Sequence, residues 1–419
     1  MVELKKYKLR DIFSEFHSGE SIKASEIHDI DTFPVFGGNG IRGYCNRYNN
    51  DGEYIIIGRQ GAYCGNVRYY CGKAFLTEHA IVGKPKKAFN AVYLANKLSI
   101  INLSRFQGQS AQPGLAVETL SNVEIDLPTY STQESIGEVL FTFDKHIETL
   151  NAINRNLEQL ARQLYDYWFV QFDFPNHEGK PYKSSGGEMT YNNQLKRYIP
   201  RNWEVVNLFD GVDVQYGFPF STALFVEEKT DKPVIRIRDI LNGTISAYTN
   251  EDVDEKYRMA AGDVIVGMDG NFHINIWHNN TAYLNQRCVR LRAKPDNPIS
   301  SLQTMFEIAP YIKLKEKNAK GSTVGHLSDK DLKAIYVLKP DFDSRSTFDS
   351  LLAGLIHNKS AILIQHQLRD ELLPLLLNSQ VSVGSVNVYD FKPVDMQLAA
   401  EPGEVNCDLS KDIYSLLTM

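Results

Sequence analysis

Apolar side chains recur at alternating steps of three and four residues in two long stretches of this 419-residue chain. Such spacing, kept over more than four heptads, predicts a helix that packs against another helix. The first stripe consists of Ile136, Leu140, Phe143, Ile147, Leu150, Asn154, Leu157, Ala161 and Leu164. The second consists of Phe348, Leu352, Leu355, Lys359, Ile362, His366, Arg369, Leu373 and Leu376.

The two stripes belong to an internal repeat, because each position of the second lies 212 residues after one of the first. The repeat covers residues 108–164 and 320–376 and extends upstream of both stripes. Its further matched pairs are Leu115 with Leu327, Leu120 with Leu332, Ser110 with Ser322, and Pro128 with Pro340. A repeat of this length predicts two similar lobes, each followed by a long helix.

Two unequal stripes in one chain are most simply paired with each other, as an antiparallel intramolecular coiled coil that spaces the lobes. The matched polar positions Asn154 and His366 would fix the register of such a pair. A helix that packs only on its own lobe is the alternative. Ser131 and Glu134 have the spacing of a capping box and predict the start of the first helix, which would run to about Phe169. The second is expected from Thr347 to Leu377.

The lobes themselves show short strand-like runs between glycine-rich turns, which predicts an α+β fold of two mixed α/β lobes with β-rich cores. The runs EYIIIG, VRYYC and VEIDLP lie at 53–58, 67–71 and 123–128, and VIRIRDI, DVIVGM and CVRLRA lie at 234–240, 263–268 and 288–293. A short helix is expected at 94–100. The opening YKLRDIF at 7–13 is echoed by WEVVNLF at 203–209, a shift of 196.

These patterns divide the chain into six predicted segments. Residues 173–200 are rich in proline, glycine, serine and charge, so little burial is expected there. The segments are a first lobe at 1–130, a first spacer helix at 131–172, a linker at 173–200, a second lobe at 201–340, a second spacer helix at 341–378 and an acidic tail at 379–419.

Charge gives only a weak indication of a nucleic-acid partner. The chain has a formal net charge of −6, although residues 1–130 balance 15 basic against 13 acidic side chains. The tail at 379–419 carries two lysines and six carboxylates. The five cysteines include no CxxC pair, so neither a disulfide framework nor a zinc site is expected. Without a signal-like or membrane-spanning apolar run, the cytoplasm is the expected compartment and no membrane partner is expected.

The usual catalytic motifs are not found in the sequence. It has no phosphate-binding GxxxxGK[ST] loop, no HExxH and no GxSxG, and its ten histidines are scattered. We therefore expect a chain that is not an enzyme, with no catalytic residue, no metal site and no cofactor of its own.

Polar loops on both lobes are the remaining candidates for function. Arg, Asn and Gln can form paired hydrogen bonds with base edges in the major groove, and Ser, Thr and Lys suit phosphate oxygens. The same residues are common in ordinary turns, and Arg236 and Arg238 could simply coat an exposed strand face. The DNA-binding candidates are Asn39, Arg42, Arg59, Gln60, Gln109, Ser110 and Gln112 in the first lobe, and Tyr216, Phe218, Arg236, Arg238, Asn271, His273, Lys320, Ser322 and Thr323 in the second.

Four long stretches resemble the specificity subunit of type I restriction–modification systems. They are IETLNAINRNLEQLARQLYDYWFVQFDF at 147–174, GKPYKSSGGEM at 179–189, IPRNWEV at 199–205 and LRDELLPLLLNSQV at 368–381. The resemblance covers about residues 1–380. It implies that each lobe is a target recognition domain for one half of a bipartite, asymmetric site in double-stranded DNA. The helices would fix the gap between the halves.

The same resemblance implies partners that carry the chemistry. The helices would dock two methyltransferase subunits, which bring S-adenosylmethionine, and through them the restriction subunits with ATP and magnesium. Two other functions stay open from the residues alone. One is a coiled-coil scaffold that binds proteins and does not contact DNA, and the other is an enzyme with an unrecognised site.

Overall fold

A computed structural model describes residues 4–108, 114–319 and 325–378 of the chain. The described residues fall into two units, one formed by residues up to 138 together with 375–378, the other by residues within 139–374. The tail from 379 and the loop candidates Gln109, Ser110, Gln112, Lys320, Ser322 and Thr323 lie outside the described residues. The domain boundaries drawn from the sequence stay a prediction.

The helices in the described part are α1 Leu9–Ile12, α2 Ala91–Ser99, α3 Val117–Ser121, α4 Tyr130–Tyr165, α5 Leu208–Gly211, α6 Ile237–Ile240, α7 Ser301–Ala319, α8 Asp329–Lys333 and α9 Arg345–Leu377. The strands there are β1 Lys5–Lys8, β2 Phe13–Ser18, β3 Phe33–Gly37, β4 Gly40–Cys45, β5 Glu53–Gly58, β6 Val67–Cys71, β7 Phe75–Leu76, β8 Ala80–Pro85, β9 Glu124–Leu127, β10 Met189–Asn192, β11 Arg197–Pro200, β12 Glu204–Asn207, β13 Val212–Tyr216, β14 Phe225–Val226, β15 Val234–Ile235, β16 Tyr248–Thr249, β17 Val264–Gly267, β18 Ile274–Ile276, β19 Tyr283–Leu284, β20 Cys288–Ala293 and β21 Tyr336–Lys339.

The first unit is built on a four-stranded antiparallel sheet in the order β2-β8-β5-β6. Strand β1 pairs with β9, and β3 lies between β4 and the parallel β7. Strand β5 is buried from Tyr54 to Gly58, as its continuous apolar run predicts for a strand covered on both faces. The predicted strands at 53–58, 67–71 and 123–128 and the short helix near 94–100 are confirmed.

The second unit repeats most of these strand pairings, although it lacks a counterpart of the β3–β4 pair and has an additional pair, β14 with β16. Its main sheet has the order β13-β20-β17-β18, β12 pairs with β21, and β15 pairs in parallel with β19. The internal repeat is thereby confirmed, and α8 and β21 lie 212 positions after α3 and β9. At the opening of the lobes the predicted shift of 196 is wrong. There β12, α5 and β13 follow β1, α1 and β2 at a shift of 199, which aligns Leu208 with Leu9.

One predicted strand of the second lobe is mostly a turn of helix. The run VIRIRDI forms only the two-residue β15 before α6 begins. The backbone N–H of Arg236 donates to Asp239 Oδ2 at 2.9 Å, and Asp239 is buried. A carboxylate three residues on satisfies a free N–H at the helix start, which favours the helix over a longer strand. Arg236 and Arg238 therefore do not alternate along a strand face.

The two long helices form an antiparallel pair within the second unit, as predicted. Leu157 on α4 lies next to Gly354 on α9, Asn154 faces Asn358, and Asp144 pairs with Arg369 at 2.9 Å. Residue numbers therefore fall along one helix as they rise along the other. None of the residues of the first stripe is exposed, and its assignment as the seam stays a prediction.

The polar register contact of this pair differs from the predicted one. Asn154 and Asn358 are both buried, and Asn358 Nδ2 donates to Asn154 Oδ1 at 2.9 Å. His366, the predicted seam residue, is exposed. The reason is geometric: in an antiparallel pair, residues 212 apart face each other only near the centre, where Leu150 is buried and Ile362 half-buried. Away from the centre, two residues that are 212 positions apart lie near opposite ends of the helix pair.

We expect Asn154→Ala to lower the free energy of unfolding by about 1–3 kcal/mol, because it leaves the Asn358 amide buried without its partner. Urea unfolding of the full chain would measure this loss. His366→Ala, on the same predicted seam but exposed, is the matched control and should change stability by less than about 0.5 kcal/mol. Equal losses in both variants would show that the asparagine pair does not hold the helices.

The start of the first long helix also differs in detail from the prediction. Helix α4 begins at Tyr130, so Ser131 lies within its first turn and is not the N-cap. The Glu134 carboxylate, which the predicted capping box required, accepts from the Tyr130 hydroxyl at 3.3 Å. At its other end α4 continues into a π-helical turn, Asp166–Val170, in agreement with the predicted end near Phe169.

Residues 173–200 are folded, and among them only Phe174, Ile199 and Pro200 are buried, in line with the expectation of little burial. Strands β10 and β11 form a hairpin, and Phe174 is buried against Trp203 with ring centroids 4.9 Å apart. Trp168, Phe169 and Phe172 join the same cluster. A few widely spaced aromatic side chains give this polar segment its buried surface, so the end of α4 and the hairpin belong to the core of the second unit.

No helix in the described ranges is both long enough and apolar enough to cross a membrane.

Candidate nucleic-acid interface

Four segments of the first lobe meet around Arg59. The Arg59 N–H donates to the His79 carbonyl at 2.9 Å, and the Arg59 carbonyl accepts from the Leu115 N–H at 2.9 Å. Gln60 forms a β-bridge with Gly114. The turn after β3 comes close to the same place, since a Cβ on Gly38 would lie 3.1 Å from the His79 carbonyl. We call Asn39, Gln60, His79 and Gly114 the first-lobe edge.

The second lobe has the same junction around Met268. Its N–H donates to the Arg287 carbonyl at 2.9 Å, and its carbonyl accepts from the Leu327 N–H at 2.7 Å. Asp269 forms a β-bridge with His326. Strands β3 and β15 pair with β7 and β19 in the same register, so Arg238 and Asn39 each lie three residues after a matched strand position, Arg238 in α6 and Asn39 in the turn before β4. We call Arg238, Asp269, Arg287 and His326 the second-lobe edge.

A glycine beside each edge fixes the backbone there. A Cβ on Gly19 would lie 2.2 Å from the Leu76 carbonyl oxygen, and one on Gly217 would lie 2.0 Å from that of Asn285. No side chain fits at such distances, so both glycines are needed for the close parallel bridges of Glu20 with Thr77 and Phe218 with Asn285. The backbone frame of the two edges is therefore shared, while three of the four side chains are polar in one lobe and charged in the other.

Most predicted residues of the first lobe lie at or near its edge, but in different roles. Asn39, Arg42 and Gln60 are exposed. Gln60 Oε1 contacts His79 Nδ1 at 3.0 Å, and the Asn39 carbonyl accepts from Arg68 at 3.1 Å. Arg59 is half-buried and donates to the carbonyls of Leu115 and Glu78, both at 3.3 Å. Arg59 thus ties the segments together, whereas the other three face solvent.

The second-lobe edge carries an ion-pair network. Arg287 Nη1 lies 2.7 Å from Asp269 Oδ2, and His326 Nδ1 lies 2.6 Å from Asp269 Oδ1. Burial alone would raise the pKa of Asp269, but the hydrogen bonds from His326 and Arg287 outweigh it and lower that pKa. The carboxylate is therefore ionised at neutral pH and holds two donors in place.

A cleft of about 590 Å³ lies along this edge. Among the described residues, its lining includes three arginines and a histidine but no carboxylate, so its charge suits a polyanion. It brings together four predicted residues, Arg236, Arg238, Asn271 and His273. The other residues that line it are Phe220, Thr222, Phe225, Ile237, Asn285, Gln286 and Arg287.

Three predicted residues of the second lobe make internal contacts. The Tyr216 hydroxyl donates to Asp329 Oδ1 at 2.6 Å. Phe218 packs edge-on against Phe220, with ring centroids 4.9 Å apart. Arg236 donates to the Ser246 hydroxyl at 2.7 Å, although its side chain also borders the cleft. These contacts account for the half-buried state of all three side chains.

The candidate list from the sequence omitted His79, Asp269, Arg287 and His326. The repeat at 212 relates only Gly114 to His326, whereas Gln60 and Asp269 are 209 positions apart and His79 and Arg287 are 208 apart, so the backbone contacts were needed to match them. No group of three or more histidine, cysteine, aspartate or glutamate side chains placed to hold a metal occurs within the described residues.

Comparisons with known proteins agree with this frame. The family model described as type I restriction modification DNA specificity domain matches residues 1–159 and 200–343. The type I restriction enzyme EcoprrI specificity subunit of Escherichia coli is 36% identical over 165 residues, which are 38% of this chain and 41% of that protein. The MjaIX specificity subunit of Methanocaldococcus jannaschii is 27% identical over 293 residues, 67% of this chain and 66% of that protein.

The fold is also found in a solved structure. The crystal structure of the S subunit of the type I restriction–modification system from M. genitalium matches with a TM-score of 0.59 and covers 90% of this chain and 96% of that one. At 15% sequence identity this match shows a common fold. The alignments to the two curated relatives span less than two thirds of those proteins' lengths.

Proposed function

The chain belongs to the family of type I restriction–modification DNA specificity proteins, and from this premise we propose that it selects the double-stranded DNA site on which a type I complex acts. The proposal rests on the comparison of the first-lobe edge with the second-lobe edge. Two lobes with one backbone frame present different side chains at matched positions. Each lobe would therefore read a different half of a bipartite, asymmetric target.

Base reading fits the chemistry of both edges. The first-lobe edge exposes amide side chains, which can pair with adenine, and the second adds arginines, which pair with guanine. A near-neutral first lobe gives little phosphate attraction, so we infer that partner subunits contribute much of the grip on the backbone.

The antiparallel helices would set the gap between the half-sites and dock two methyltransferase subunits. Supporting this, Ile153 on α4 and Leu363, Ile364 and Leu368 on α9 are exposed apolar residues on the helix pair. Exposed apolar groups on a helical surface favour a protein partner. S-adenosylmethionine would be bound by the methyltransferase subunits, and ATP and magnesium by the restriction subunits that join through them.

This chain would itself carry out no chemistry, and it would act in the cytoplasm, where its DNA target and partners are. Its function would be DNA recognition. A chain that binds two half-sites gains affinity, because the second contact forms intramolecularly once the first is made.

Co-expression with the cognate methyltransferase subunit in cells without other adenine methylation tests this function. Base-resolved detection of N6-methyladenine should show one split motif, which disappears when this chain is left out. Methylation without any sequence motif would instead support the protein-binding scaffold. Methylation or cleavage of DNA by the purified chain alone, with cofactors supplied, would support the enzyme.

A further inference from the structure

Arg287 stands out among the polar side chains of the second lobe. It lies in the turn between β19 and β20, its side chain is 63% exposed, and it borders the cleft. Only its Nη1 atom is within hydrogen-bond distance of Asp269. The guanidinium has five N–H donors in a planar fork, so most of them stay available to a ligand in the cleft.

The Arg287 side chain is held in position by Asp269, which is itself held by His326. The Asp269 side chain is 19% exposed, and its second oxygen is occupied by His326 at 2.6 Å. An arginine fixed by a carboxylate that is itself anchored loses less conformational freedom on binding than a mobile one. Such support is what a base-reading side chain needs for a geometrically defined contact.

The fold does not require an arginine at this position. His79 occupies the matched position in the first lobe, where the same backbone hydrogen bond forms. The His79 carbonyl accepts from the Arg59 N–H, and the Arg287 carbonyl accepts from the Met268 N–H. Gln60 likewise stands where the second lobe has Asp269. The Asp269–Arg287 pair is therefore a property of this lobe's surface and not of the shared frame.

We propose that Arg287 reads a guanine in the half-site of the second lobe, with Asp269 and His326 as positioning residues. This inference rests on the proposed function and deepens it. Guanine presents O6 and N7 as adjacent acceptors in the major groove, and an arginine fork matches both, whereas adenine offers a donor in place of O6. Asn271 and Gln286 border the same cleft and would contact neighbouring bases.

The test uses the full chain co-expressed with its methyltransferase subunit and base-resolved N6-methyladenine detection. Arg287→Lys keeps the charge but removes the fork. We expect it to relax one guanine position of the motif, reducing discrimination there by roughly 10–100-fold, while the other half-site is unchanged. Arg201→Ala is the matched control, because Arg201 is also exposed and paired with a carboxylate, Glu188, but lies beyond the hairpin β10–β11. It should leave the motif intact.

The positioning role of Asp269 has its own readout. Asp269→Asn keeps the shape of the side chain but weakens its hold on Arg287. We expect partial relaxation at the same guanine and at no other base, which a general loss of stability would not produce. Asp269→Glu should restore part of the discrimination.

Binding of the native complex to duplexes that carry 7-deazaguanine, which lacks N7, covers the case in which a variant folds poorly. Replacing the proposed guanine should weaken binding by roughly 10-fold or more in the native complex and have no further effect in Arg287→Lys. A second half-site without guanine, or a motif unchanged in Arg287→Lys, would overturn the inference and leave the function standing. Methylation without any motif in the native complex would overturn the proposed function itself.

Discussion

Duplicating residues 152–158 together with 354–360 is expected to abolish methylation of the native target and to move it to a target with a longer gap. These seven-residue segments face each other across the helix pair, as the contacts of Asn154 with Asn358 and Leu157 with Gly354 show. One added heptad on each helix keeps the seam in register. It lengthens the pair by about 10 Å at 1.5 Å per residue, or at most about three base pairs at 3.4 Å each.

Three base pairs also turn the duplex by roughly 100 degrees, so the new target should be methylated less fully than the native one is by the native chain. The measurement is the gap length in the methylated motif of cells that carry the variant. Duplication of 152–158 alone is the control, since it breaks the facing of Asn154 with Asn358 and should abolish methylation at every gap. A paired duplication that still methylates only the native gap would show that the helices do not set it.

The Phe169→Ala substitution should lower the free energy of unfolding of the second unit by about 3–5 kcal/mol, the cost of removing a fully buried aromatic ring. Phe169 has no exposed surface and packs against Trp203, Phe348 and Tyr165, with ring centroids 5.2, 6.0 and 5.4 Å away. It lies where the π-helical turn after α4 enters the core of the lobe, so its loss should loosen both the helix end and the lobe.

Urea unfolding of the full chain would measure this effect. Tyr167→Ala is the matched control: it lies in the same π-helical turn, but Tyr167 is 38% exposed, and a loss under about 1 kcal/mol is expected. Similar losses in the two variants would mean that the aromatic cluster does not join helix and lobe.

Continuous local patterns in the sequence predicted the regular elements well. The 3-4 spacing gave α4 and α9 because each stripe is a property of one helix and needs no knowledge of its partner. The run EYIIIG gave β5, since an unbroken apolar stretch between turns has few other uses. The repeat at 212 gave the two lobes, and the matched sheets confirm it.

Features that depend on a partner distant in the chain were predicted less well. Asn358 donates a hydrogen bond to Asn154 across the antiparallel helix pair. Which residue faces Asn154 depends on how the two helices pack and not on the repeat. The run VIRIRDI has strand periodicity, but the contact of Asp239 with the Arg236 N–H favours a turn of helix. Few side chains of the polar 173–200 segment are buried, and one of them, Phe174, packs against Trp203, which lies beyond the segment.

The candidate interface shows the same division. Selection by residue types that suit base edges identified Asn39, Gln60 and Arg238, which are exposed. It also selected Arg59, whose side chain instead donates to two backbone carbonyls. The Asp269–Arg287 pair could be identified only from the backbone contacts, which match Asp269 with Gln60 and Arg287 with His79.

Each lobe is proposed to read its own half-site. Exchanging residues 1–130 for the first lobe of another family member, with the rest of the chain retained, tests this proposal most directly. Base-resolved N6-methyladenine detection should then show one half of the motif replaced, with the second half and the gap unchanged. A motif in which both halves change, or in which neither does, would contradict the account.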